Sequence, residues 1–70
     1  MNVTQAEIVK EYIIKSIETQ DEELDAFLFS LGCYSGDVIT VISHLRGGFV
    51  VAIKDARYTI DKQLAEAIII

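Results

Sequence analysis

The chain has 70 residues, which is one domain near the size where a core only just offsets the entropy of ordering it. Its AVILMFWYC fraction of 51% can build a core, while six basic residues against eleven acidic ones leave a net charge of −5. That balance argues against nucleic acid and against docking on anionic lipid, both of which need clustered Lys and Arg.

No apolar run approaches the ~18 residues of a membrane span, so direct membrane insertion is not expected. Met1-Asn2-Val3-Thr4-Gln5 has neither the basic start nor the apolar stretch of a signal peptide. A single cysteine excludes an internal disulfide, and the expected compartment is the reducing cytoplasm.

Residues 1–11 are ambiguous. Thr4-Gln5-Ala6-Glu7 fits a capping box, but the segment is short for a helix unless it packs on something. Tyr12-Ile13-Ile14-Lys15-Ser16-Ile17-Glu18 reads as a strand, with Lys15 facing solvent. Thr19-Gln20-Asp21-Glu22 is a second capping-box pattern, with acids crowding a first turn that the helix dipole favours. Leu24, Phe27, Leu28 and Leu31 then recur at i, i+3, i+4 and i+7, predicting a helix over 21–31 that buries one apolar stripe. Gly32 suits the left-handed position that ends it.

Tyr34-Ser35-Gly36-Asp37 is a turn signal. The β-branched run from Val38 to Leu45 predicts a strand, Arg46-Gly47-Gly48 a hairpin turn, and Phe49 to Lys54 the returning strand. Asp55-Ala56-Arg57 reads as a second tight connection and Tyr58-Thr59-Ile60 as a short strand. Asp61 can cap one helical turn, Lys62-Gln63-Leu64-Ala65, before a final strand at Ala67-Ile68-Ile69-Ile70. The fold class is mostly β: a small barrel of about five strands, with one short α-helix after the first strand covering an open end.

The segment Leu31-Gly32-Cys33-Tyr34-Ser35-Gly36-Asp37-Val38-Ile39-Thr40-Val41 resembles the Leu-Gly-x-x-x-Gly-x-x-apolar-x-Val pattern of the FeoA family. The glycine hairpin, the Val50–Ile53 strand, Tyr58-Thr59-Ile60, Ala65 and Ile68 continue the likeness over roughly residues 12–70. Two features depart from the family pattern: Asp25 to Ser30 lacks the usual Arg, and no glycine precedes the first strand. The resemblance implies an SH3-like barrel, similar also to the C-terminal domain of iron-dependent repressors. It implies a small cytoplasmic partner that binds the cytoplasmic part of the ferrous iron transporter FeoB and regulates iron transport.

No Ser-His-Asp or Cys-His arrangement and no phosphate-cradling loop appears, so an enzyme is not expected. His44, Cys33 and the acids Asp21, Glu22, Glu23 and Asp25 are the candidates for a weak divalent-metal site for Fe or Mn. Their plainer reading is a hairpin histidine, a small buried thiol and a dipole-stabilised first turn, so no cofactor is expected. Arg46 at the hairpin tip and Arg57 in the second turn have the reach to meet a partner, including a GTPase domain that takes an arginine in trans. Phe27 belongs to the helix stripe and is expected in the core, whereas Phe29 lies off it. Either the helix is sandwiched and Phe29 is buried as well, or an exposed Phe29 beside Tyr34 makes a partner-binding patch. Ile68-Ile69-Ile70 is a hazard if left at a sheet edge: such a strand pairs either with its own barrel or with another copy, the latter a route to weak self-association into a homo-oligomer.

Overall fold

The computed structural model describes residues 1–70. It begins with a 3-10 turn at Val3–Gln5, followed by β1 (Glu11–Ile13) and β2 (Ser16–Ile17). Helix α1 (Glu22–Ser30) comes next, then β3 (Val38–Leu45), β4 (Gly48–Ile53) and β5 (Ala56–Asp61). Helix α2 (Lys62–Ala67) and β6 (Ile68–Ile69) close the chain. Four strands form one antiparallel sheet in the order β1-β3-β4-β5, and β2 pairs with β6 in a second. The expected barrel of about five strands is therefore six, because the first strand divides.

Residues 12–18 change partners halfway. Up to Ile13 the chain ladders with β3. The Ile14 N–H then donates to the Asp37 carbonyl and the Ile14 carbonyl accepts from Gly36, both at 2.8 Å. From Lys15 onward the partner is the C-terminal strand, with Lys15 and Glu18 donating to Ile69 and Ala67. Ile14 points into the core at this corner and is almost fully buried. A break in ladder partner has no signature in side-chain propensity, so the sequence reads as one strand.

The N-terminal capping box exists two residues earlier than expected. Asn2, not Thr4, is the cap, and Gln5 supplies the reciprocal bond to its N–H. This turn places Val3 and Ala6 in the core against α2. One cluster of 15 buried residues forms that core, led by Ile14, Leu28, Ile39, Ile53, Ile60 and Ile68. A bulge at Ile42 separates the Val41–Val51 and Ser43–Val50 pairings of β3 and β4.

Two further expectations are corrected, and for the terminal isoleucines one of two expected outcomes holds. The second tight connection falls at Lys54-Asp55 rather than Asp55-Ala56-Arg57. Lys54 adopts a left-handed φ of 57°, which turns the chain early and frees residues 56 and 57 for the ladder. Arg57 is thus a strand residue opposite Ala52. The stripe of α1 is not buried as a whole: Leu28 is at 0% exposure, Leu24 and Leu31 are partly covered, and Phe27 is 48% exposed. A nine-residue helix resting on the edge of a small barrel meets it along one line only. Finally, the terminal isoleucines are not a free edge. Ile68 and Ile69 pair with β2, Ile69 also bridges Asn2, and the Ile70 N–H donates to the Met1 carbonyl.

Candidate interaction surface

The end of α1 is built by a pair of reversed hydrogen bonds. The Cys33 N–H donates to the Leu28 carbonyl and the Gly32 N–H to the Phe29 carbonyl, each at 3.0 Å. This is the Schellman termination, and Gly32 provides its left-handed φ of 83°. An apolar contact across the last turn frequently accompanies the motif. Leu28 and Cys33, at the two positions of that contact, are both members of the core cluster.

Turning Leu28 inward and wrapping Cys33 under it leaves Phe29 outside. Phe29 is 67% exposed and its ring lies 5.0 Å from that of Tyr34, tilted by 34°. Tyr34 is held from the other side. The ammonium of Lys54 donates to its hydroxyl at 3.1 Å and sits 4.9 Å from its ring centroid. The Lys54 stem lies over Gly32, where an added Cβ would meet Lys54 carbons at 3.4–3.5 Å. Two stretches distant in sequence thus form one aromatic-cation face: the end of α1 with the turn that follows it, and the β4–β5 turn.

Asp37 stands behind this face. Its N–H donates to the Tyr34 carbonyl at 3.1 Å, closing the turn. Its Oδ2 is shielded from solvent without a donor. The Lys54 ammonium is held above its ordinary range, first by the Tyr34 hydrogen bond and then by the negative charge of Asp37. The same carboxylate acts on Cys33, whose thiol is pushed from 9.0 up to about 11, chiefly by burial.

A second feature lies at the other end of β4. Phe27, Leu45, Arg46, Gly48, Ile60 and Leu64 line an open groove of about 360 Å³. Gly48 is required here, because an added Cβ would fall 2.7 Å from the Ile60 carbonyl oxygen. Arg46 projects at the hairpin tip on the rim of this groove. Arg57 pairs with Ala52, four positions from the Gly48 end of β4, and shares its face of β5 with Thr59 and Asp61 of the groove lining.

The candidate ligands are not assembled. His44 is exposed on β3 with its ring edge-on to Phe49 at 5.0 Å, and Cys33 is buried under α1. Nowhere do three or more His, Cys, Asp or Glu side chains converge as a metal site would need. In the first turn of α1, Asp21 caps the helix by accepting from Glu23 and Leu24 N–H, and the acids around it are solvated. No helix is long and apolar enough to cross a membrane.

Sequence reasoning found Phe29 and Tyr34 but missed Lys54 and Phe27. Lys54 had no signal, since a left-handed lysine at a two-residue turn is unmarked. Phe27 carried the opposite signal, its position in the helix stripe.

This architecture is a small SH3-like barrel with a helix laid against one side and an aromatic surface at that helix's end. The FeoA domain family matches the chain over residues 1–70, and the chain belongs to that family. No curated protein matches the sequence. Among solved structures, a manganese-dependent transcriptional repressor superposes with a TM-score of 0.89 at 18% identity, over 97% of this chain. The chain spans only 39% of that repressor's length. A zinc-complexed FeoA of Stenotrophomonas maltophilia, described as a prokaryotic SH3 domain protein and a suggested activating factor of ferrous iron transport, gives 0.86 at 12% identity. It is covered to 87%, and 99% of this chain is covered in return. An FeoA described as an iron uptake regulatory protein gives 0.81 at 21% identity, over 94% of this chain and 86% of that one. At these identities the likenesses show the fold.

Proposed function

We propose that this chain is a non-catalytic accessory protein of bacterial ferrous iron transport, docking on the cytoplasmic domain of a FeoB-type transporter and regulating it. Membership of the FeoA family supports the setting. The observation that carries the docking reading is the exposed Phe29–Tyr34 pair pinned by Lys54. Aromatic side chains are favoured interface anchors, and a ring already fixed by its neighbours loses little freedom on binding. Arg46, lining the groove at the hairpin tip, is the residue with reach toward a bound nucleotide domain, and Arg57 lies further along β5 from that tip.

The test is calorimetric titration of this chain into the purified cytoplasmic domain of the FeoB from the same organism. Phe29→Ala and Tyr34→Ala each weaken binding about tenfold or more, as loss of an interface anchor does. Unchanged affinity in both refutes the surface. An Arg46→Ala variant that binds normally but no longer stimulates GTP hydrolysis assigns that residue a role in trans. Arg57→Ala is the companion variant.

Direct divalent-metal sensing is the rival, favoured by the zinc complex of the S. maltophilia relative. The absence of any three-ligand cluster speaks against it. Saturable Fe²⁺, Mn²⁺ or Zn²⁺ binding tighter than roughly 10 μM would replace the docking reading with it.

A further inference from the structure

The four-stranded sheet ends in β1 on one side and β5 on the other. The β1 edge is three residues long and lies next to a segment that turns back on the sheet, where the Val9 N–H donates to the Val41 carbonyl. The β5 edge is different. Its six residues ladder with β4 without a register shift. No backbone hydrogen bond outside the helices and strands involves residues 56–61. Apart from the Asp61 carbonyl, which opens α2, the backbone groups of β5 that face away from β4 therefore have no backbone partner.

The edge carries no proline, no lysine and no bulge, devices that keep an open strand from pairing, and its two charges, Arg57 and Asp61, are of opposite sign. Its exposed side chains alternate as Arg57, Thr59 and Asp61 on one face. The single ion pair of the chain joins Lys10 to Glu7, so Arg57 and Asp61 have no opposite charge engaged within the monomer. Asp61 uses its Oδ1 to cap α2 through the Leu64 N–H at 2.8 Å, leaving Oδ2 available.

We infer that β5 pairs antiparallel with β5 of a second copy, about a two-fold axis through Thr59. A two-fold normal to the sheet keeps each face, so opposed residues must share a face and the axis must pass through a residue. Centred on Tyr58 or Ile60, the pairing sets Arg57 or Asp61 opposite Thr59. Centred on Thr59, it sets Arg57 opposite Asp61 twice and Thr59 opposite Thr59. Opposite charges and threonine pairs are favourable cross-strand neighbours. On the other face the half-buried Tyr58 lies against Ile60 of the second copy. The two four-stranded sheets become one of eight strands.

The interface is a single strand pair, so the dissociation constant falls on the order of 0.1 mM. Sedimentation equilibrium of the full chain from about 10 μM to 1 mM reads it. Arg57→Glu sets a carboxylate opposite Asp61 in both pairs and weakens association about tenfold or more, while Phe29→Ala leaves it unchanged. Thr59→Cys places two thiols across the axis within disulfide reach, so diamide yields a covalent dimer faster than for the exposed control Lys62→Cys. The native thiol does not compete, because Cys33 is buried. Circular dichroism confirms that each variant is folded. A monomer at 1 mM overturns the inference and leaves the edge to an extended segment of another protein. A dimer indifferent to Arg57→Glu, with Thr59→Cys no faster than the control, overturns it equally.

Discussion

Leu28 and Phe29 are consecutive residues of α1 with opposite environments, and replacing each by alanine separates core from surface. Leu28 is at 0% exposure and packs with Cys33 under the Schellman turn. Removing its isobutyl group loses the transfer free energy and leaves a cavity, about 2–5 kcal/mol for such sites. A domain of this length holds only about 4–10 kcal/mol in total. With about 4–8 °C lost per kcal/mol, a middle value of about 3 kcal/mol lowers Tm by about 12–24 °C. Phe29 is 67% exposed. The third of its side chain that is covered is worth roughly 0.5–1 kcal/mol, and the better helix propensity of alanine returns about 0.5 kcal/mol. Its net effect on Tm is a few degrees. Thermal unfolding followed by far-ultraviolet circular dichroism reads both. Equal losses for the two variants, or a Leu28→Ala shift under about 5 °C, would refute the assignment of inward and outward faces on α1.

Gly48→Ala forces a Cβ to 2.7 Å from the Ile60 carbonyl oxygen, a backbone atom held in the ladder. A cost of about 1–3 kcal/mol follows, read as a lower urea midpoint; an unchanged midpoint contradicts the close approach. Asp21→Ala removes the acceptor of two N–H groups at the start of α1 and costs about 1 kcal/mol in the same assay. Cys33, with its thiol raised to about 11, resists iodoacetamide at pH 8 while folded and reacts once unfolded in urea. Modification of the native chain at the rate of a free thiol counts against its burial. The thiol's folded value lies above its unfolded 9.0, so its contribution to stability is complete below pH 9. That contribution is lost as pH rises from 9 towards 11. Cys33→Ser, measured by urea unfolding across that window, flattens the decline.

Much of the fold follows from local patterns. The β-branched run 38–45 is where the sequence places it, and the glycine hairpin and returning strand lie within one residue of their expected bounds, with Gly48 in the strand and Lys54 in the next turn, because strand propensity and glycine turns are local properties. The acidic start of α1 and its Gly32 stop are equally local, and so is the Asp61 cap of α2. The Leu31–Val41 glycine and aliphatic spacing carries the family as well, since it records the Schellman turn and the first long strand together.

The surface was decided elsewhere. Periodicity groups Phe27 with Leu28, yet how much of a helix is covered depends on what it leans against, and this barrel covers one line of α1. The division of residues 12–18 depends on whether β3 or β6 lies alongside, which no property of those residues encodes. Lys54 reaches Tyr34 across 20 positions because a left-handed turn brings the β4–β5 connection beside the end of α1. The terminal isoleucines are protected and β5 is open because pairing partners are assigned by topology, while hydrophobicity only requires that some partner be found. Sequence by itself determined most of the elements, the Gly32 stop of α1, the Asp61 cap of α2 and the family, while the other caps are Asn2 and Asp21 rather than the Thr4 and Thr19 it points to. Only the tertiary structure decided which residues stand outward, since exposure is a relation between segments far apart in the chain.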